Sequence, residues 1–344
     1  MDLRLVSPDI DPAIVQAMDP EFVRYFIETI QHLTPTHTVP LAECRAHPER
    51  FVTPWIYDSS GEPRVSDHTV TSADGFPVPV RVYTPDPDVF GPGPYGVHVN
   101  FHGGGFVFGS LQADALFCLK VRDRAGLVVV DVNYRHCPEA VFGKGIEDAW
   151  AALQWTHQSN EININPSSIS IGGISAGGFL CCVVQHLARD AGLPLRLCVP
   201  AVPVTTDSCS YTSLDDSPYP SFREYSRAPL LNWKRMSFFQ KHVFPANQMD
   251  RLRASLPDWW LSPMRAPDST GLCDTFLITA ECDPMRDEGE AYGVKLVQAG
   301  NKVTMKRYLG VPHPFMHMAK VLQKARDYDE DVLNALTVAH QGSI

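Results

Sequence analysis

The feature that most restricts how this chain can fold is a rhythm of short β-branched runs set between segments of helical spacing. YGVHVNF (95–101), LVVVDVNY (127–134) and RLCVPAVPV (196–204) are apolar and valine-rich, as strands buried on both faces are, and SISIGG (168–173), TFLITA (275–280) and KVTMKRYLG (302–310) read as further strands. Between them lie QADALFCLKVRDRAG, IEDAWAALQWTHQ, AGGFLCCVVQHLARDAG and DEGEAYGVKLVQAG, whose apolar residues recur at three- and four-residue intervals. Two earlier runs, HTVTSA and VPVRVYTP, flank the turn-like ADGF and predict a hairpin. Alternation of this kind implies an α/β protein, with a mostly parallel central sheet and helices on both faces.

The rhythm stops between residues 205 and 262. That stretch holds Tyr211, Tyr219, Phe222, Tyr225, Trp233, Phe238, Phe239, Trp259 and Trp260, several prolines and one clear helical segment, LLNWKRMSFFQKHV. So many aromatic side chains need an apolar surface to cover. The first sixty residues also read as short helical pieces, PEFVRYFIETIQHL among them, separated by prolines. The expected organisation is therefore an N-terminal cap segment (1–60), a core made of 61–204 and 263–344, and an inserted helical cap (205–262). Both cap pieces would roof the carboxyl edge of the sheet, where ligands bind in such folds.

Two glycine clusters sit at predicted strand ends. Gly173-Ile174-Ser175-Ala176-Gly177 follows SISI and precedes a helix, the context in which a G-x-S-x-G string lifts a serine hydroxyl above the sheet on a tight turn. His102-Gly103-Gly104-Gly105-Phe106 follows YGVHVNF, and three glycines let backbone amides turn inward to meet an oxyanion. His102 is expected to brace this loop rather than to react. A serine at its free pKa needs a proton acceptor in reach. After Ser175 the histidines are His186, His242, His313, His317 and His340. His313, in YLGVPHPF after a strand, is the expected base, with His317 one turn further on as its rival. Asp283 follows TFLITAEC directly and is the expected orienting acid. Asp287 and Glu288 should already lie in the next helix.

HGGGF, GISAGG, CDPMRDEG and VPHPF, in this order, together with YRHCPEAVF (134–142), resemble the hormone-sensitive-lipase-like branch of the α/β-hydrolases from about residue 66 to 325. The resemblance implies carboxylic ester hydrolysis through Ser175, His313 and Asp283, with oxyanion amides from Gly104, Gly105 and Ala176. It also implies the bipartite cap, and it admits a homodimer. The chain departs from the family pattern at Ile174, where an acid or threonine is usual, and at Pro314, where glycine is common. Cys137 and Cys282 are unusual neighbours and are expected to be buried thiols.

A formal net charge of −10 without a basic cluster argues against nucleic acid and anionic membranes as partners. No apolar run reaches the eighteen or so residues of a membrane span. The acidic, proline-bearing start lacks the pattern of a signal peptide. Nine cysteines, an odd number, with Cys181 and Cys182 adjacent, do not suit a secreted disulfide framework. A reducing cytoplasm is the expected setting. His313 and His317 lack the glutamate and third ligand of a zinc site, and neither glycine cluster continues as a phosphate loop, so neither a metal nor an organic cofactor is expected. The expected partner is a small-molecule ester of small to medium hydrophobic character. A formamidase, transacylase or dehydratase on the same scaffold, and a non-catalytic small-molecule receptor, remain the alternatives.

Overall fold

The computed structural model describes residues 7–51 and 56–341, so the N-terminal segment expected over 1–60 lies partly outside the described residues. Its described helices are α1 (Pro12–Ala17), α2 (Pro20–Glu28) and α3 (Leu41–Ala46). Asp11 and Asp19 cap α1 and α2 by accepting from Ala13 N and Glu21 N, and proline opens both helices, where its missing N–H costs no hydrogen bond. The helical reading of PEFVRYFIETIQHL holds only to Glu28. Thr29 leaves the α region (φ −132°), and Ile30–His32 continues as a 3₁₀ turn.

The core sheet has eight strands: β1 (Val65–Thr71), β2 (Pro77–Tyr83), β3 (Tyr95–Phe101), β4 (Val128–Val132), β5 (Ile164–Ile174), β6 (Leu197–Ala201), β7 (Thr275–Cys282) and β8 (Val303–Pro312). Their order is β1-β2-β4-β3-β5-β6-β7-β8. The hairpin β1–β2 and the β2–β4 pair are antiparallel, and every later neighbour is parallel. A short helix α4 (Pro87–Phe90) precedes β3. Helix α5 (Ala115–Lys120) runs into a π-type turn over Val121–Ala125 and stops at left-handed Gly126. Helices α6 (Lys144–Gln158) and α7 (Ala176–Asp190) pack together on one face. The central runs are buried on both sides, as their composition predicts: every residue of β4 and β6 is inaccessible to solvent or nearly so, whereas β8, at the sheet edge, is largely exposed up to Arg307.

Among the described residues, 205–262 carries no strand. It holds α8 (Pro220–Glu224), α9 (Trp233–Val243), α10 (Met249–Ser255) and α11 (Asp258–Leu261). Helix α9 begins three residues later than its apolar pattern, because the Asn232 side chain accepts from Arg235 N and fixes the start. The chain then returns to β7, α12 (Arg286–Gln298), β8 and α13 (Gln323–Gln341). No described helix is long and apolar enough to cross a membrane.

Candidate active site

Ser175 ends β5 and caps α7 with φ 58° and ψ −113°, a left-handed-side backbone that costs an L-residue roughly 1–3 kcal/mol. Its N–H donates to Ala201 O at 2.8 Å, and its carbonyl accepts from Phe179 N at 2.9 Å. The flanking glycines explain themselves sterically. A Cβ on Gly177 would overlap the carbonyl of Phe101, and one on Gly173 would meet both that oxygen and the Gly177 backbone. β3, β5 and α7 therefore approach one another at a distance that only glycine permits.

Three strand ends meet at this turn. The Ser175 hydroxyl lies 2.7 Å from His313 Nε2, and His313 Nδ1 lies 2.7 Å from Asp283 Oδ2. The second Asp283 oxygen accepts from Met285 N at 2.9 Å, which fixes the carboxylate plane. Asp283 is 1% exposed and His313 6%, so the bond between them competes little with solvent, while Ser175 stays half-buried. Ser175, His313 and Asp283 are thus brought together as one hydrogen-bonded line, an arrangement able to move a proton off the hydroxyl and hold the charge that results. His317, the rival, instead faces Asp114 at 2.9 Å. Asp287 sits in the first turn of α12, where it accepts from Ser221 N.

Beside Ser175 the glycine loop turns sharply. Gly104, Gly105 and Phe106 all have positive φ, and the Gly104 carbonyl accepts from Val107 N and Phe108 N. The amides of Gly104, Gly105 and Ala176 donate to no described residue. His102 braces the loop, as expected. Its ring is fully buried, bonds Gly103 O through Nδ1 at 2.7 Å and stacks on Tyr134 at 4.4 Å. Burial lowers its pKa. The Cys137 and Cys282 thiols are buried and pushed up by burial to about 12, so both are inert at neutral pH.

Four contributors escape a reading of the sequence. Arg45 on α3 donates to Val107 O (2.8 and 3.1 Å) and to Cys137 O (2.7 Å), tying the N-terminal segment to the glycine loop. Glu288 on α12 is buried and accepts from Thr205 N and the Thr206 hydroxyl, pinning the chain where it leaves the core after β6. The ring of Phe239, on α9, lies against Gly105, where a Cβ would come within 2.6 Å of it. Asp114 belongs to a buried line with Asn100, which donates to Asp114 at 3.3 Å and to Asp131 at 2.8 Å. The position of Glu288, just after the acid, and the place of Phe239 in the aromatic insertion gave some signal; Arg45 and Asp114 gave none.

The alpha/beta hydrolase fold family model matches residues 98–317. Over 96% of both chains, the sequence is 33% identical to an AB hydrolase superfamily protein of Schizosaccharomyces pombe. It is also 33% identical to carboxylesterase NlhH of Mycobacterium tuberculosis over 94% of both. A hyperthermophilic esterase from Pyrobaculum calidifontis superposes with a TM-score of 0.78 at 30% identity, covering 93% of this chain and 98% of that one.

Burial raises Asp131 and Glu288 to about 7, from ordinary values of 3.8 and 4.5. Between about pH 4 and 7 these two carboxyls therefore hold protons in the folded state that they lose in the unfolded chain, so their own contribution to stability falls as pH rises through this window and levels above it. Asp131→Asn removes one such proton. The melting temperature of the variant relative to wild type should therefore be more favourable at pH 8 than at pH 5, measured by thermal melts in matched buffers. An equal difference at both pH values would contradict the assignment.

Proposed function

The chain belongs to the alpha/beta hydrolase fold family and is a carboxylic ester hydrolase, and we propose that it works through an acyl-enzyme on Ser175. One observation carries this reading: the hydrogen-bonded line from half-buried Ser175 through His313 to buried Asp283, at the ends of three strands. His313 Nε2 takes the hydroxyl proton as Ser175 Oγ attacks the ester carbonyl. Asp283 holds the imidazole in the tautomer that presents Nε2 and stabilises the imidazolium. The unsatisfied amides of Gly104, Gly105 and Ala176 receive the oxyanion. His313 returns the proton to the leaving alcohol, then activates the water that frees the acid. No metal or organic cofactor takes part in this scheme.

The cap reading, with pieces 1–60 and 205–262 over the core (61–204 and 263–344), is part of the proposal. It is supported by Phe239 against Gly105 and by the bonds joining the two pieces, Asp11 N to Arg227 O and Lys234 to Asp9. Phe108, Phe238 and Phe239 cluster at ring separations near 6 Å, which favours hydrophobic acyl or alcohol groups of small to medium size. Eight described cysteines are unpaired, which supports a reducing cytoplasmic setting. β8 is a sheet edge, and Met305 and Leu309 are exposed there beside exposed Val294 and Val297 of α12. An open edge with an apolar flank supports homodimerisation through β8.

On p-nitrophenyl esters from acetate to decanoate, turnover should peak at short to medium chains, and Ser175→Ala should lower kcat by at least about 10⁴-fold. Undiminished turnover in the variant would exclude Ser175 as nucleophile. Light scattering should give twice the chain mass for wild type and the chain mass for Leu309→Glu. A monomeric wild type would remove the dimer.

A further inference from the structure

The insertion helix α9 carries a cation that the reaction does not use. Arg235 and Phe239 are one turn apart on α9, and the guanidinium lies 5.7 Å from the Phe239 ring centroid. That ring in turn rests on Gly105. Arg235 has five N–H donors, yet its side chain meets one acceptor among the described residues, Leu230 O at 3.1 Å. No carboxylate among the described residues pairs with it, and the titratable group that acts on it is the Cys44 thiol of α3. Burial pushes the guanidinium down to about 10, so it stays charged at neutral pH.

A second unmet group lies on the same side. The Cys44 thiol donates to Thr36 O at 3.6 Å, and the Thr36–Thr38 turn packs on α9. Thr36 is 5% exposed, and its hydroxyl oxygen has no hydrogen-bond partner. A half-buried cation on α9 without a counter-charge and a buried orphan hydroxyl beside that helix are groups for which the described residues supply no partner. A ligand group with several oxygen acceptors and negative charge relieves both at once, and a planar carboxylate matches the guanidinium fork.

Resting on the ester-hydrolase reading of Ser175, we propose that the physiological substrate is an ester that also carries a carboxylate, bound by Arg235 and the Thr36 hydroxyl beyond the Phe239 ring. The hydrophobic stretch between ester and carboxylate would cross the aromatic cluster, and the carboxylate would be recognised without taking part in the chemistry. Such a substrate is a half-ester of a dicarboxylic acid, or an ester of an acid-bearing alcohol.

The test compares ethyl hydrogen succinate, glutarate and adipate with neutral isosteres in which an isopropyl group replaces the carboxylate, such as ethyl 5-methylhexanoate for the glutarate. Each is assayed by pH-stat in wild type, Arg235→Met, Arg235→Lys and Thr36→Val. In wild type at least one half-ester should exceed its isostere in kcat/KM. In Arg235→Met the half-ester to isostere ratio should fall on the order of tenfold to a hundredfold, the worth of a charged hydrogen bond. The loss should lie mainly in KM, with partial recovery in Arg235→Lys and a smaller fall in Thr36→Val. A wild type that prefers every neutral isostere overturns the proposal, whether or not the variants fold. So does an unchanged ratio in Arg235→Met. Failure of the underlying reading looks different: neutral and charged esters alike would be cleaved independently of Ser175, or not at all.

Discussion

Everything in the site depends on the contact between the end of β3 and the start of α7, where Gly177 rests on the Phe101 carbonyl. That approach sets where β5 must stop and α7 must begin, and it leaves Ser175 in a backbone conformation its side chain disfavours. The strain is held by the bond from Ser175 N to Ala201 O in β6 and by a helix buried along most of its length. The same close approach puts the glycine loop after β3 beside the hydroxyl, since both leave the sheet at neighbouring strands. The proposed nucleophile and the amides proposed for its oxyanion are thus consequences of one packing constraint.

Around that centre the chain is stitched from distant parts. Arg45 holds the glycine loop from an N-terminal helix, Glu288 holds the exit to the insertion from α12, and Phe239 covers Gly105 from α9. Each ties a segment outside the central strands to a loop bordering the proposed site, so the placement of these loops depends on the parts of the chain that surround the sheet. Asp131 and Glu288, 0% and 1% exposed, show how far water is excluded beneath the site. In such surroundings fixed dipoles act strongly on developing charge.

Ser175, Asp283 and His313 were legible because strand-end residues advertise themselves in sequence: an apolar run stops, and a glycine, acid or histidine follows. The sheet and its hairpin were legible for the same reason, through period and β-branching. His317 could be ranked below His313 from its place one turn later, although its partner Asp114, about two hundred residues away in the chain, could not be foreseen. Nothing in the sequence distinguishes Arg45 and Arg235 from ordinary surface cations. What sets them apart is a missing counter-charge or a carbonyl some sixty residues away, and sequence carries no record of a partner that is absent or remote. The early end of α2 at Thr29 was likewise decided by local backbone geometry that apolar spacing does not report.

The central claim is that one serine, activated in this turn, carries the acyl group. Its most direct test is titration with diethyl p-nitrophenyl phosphate, followed by peptide mass spectrometry and assay of the remaining esterase activity. The account predicts release of one equivalent of p-nitrophenol, a diethylphosphoryl group on the peptide containing Ser175, and activity falling in step with labelling. Full esterase activity in protein stoichiometrically labelled at Ser175, or inactivation with the label on another residue, would contradict it.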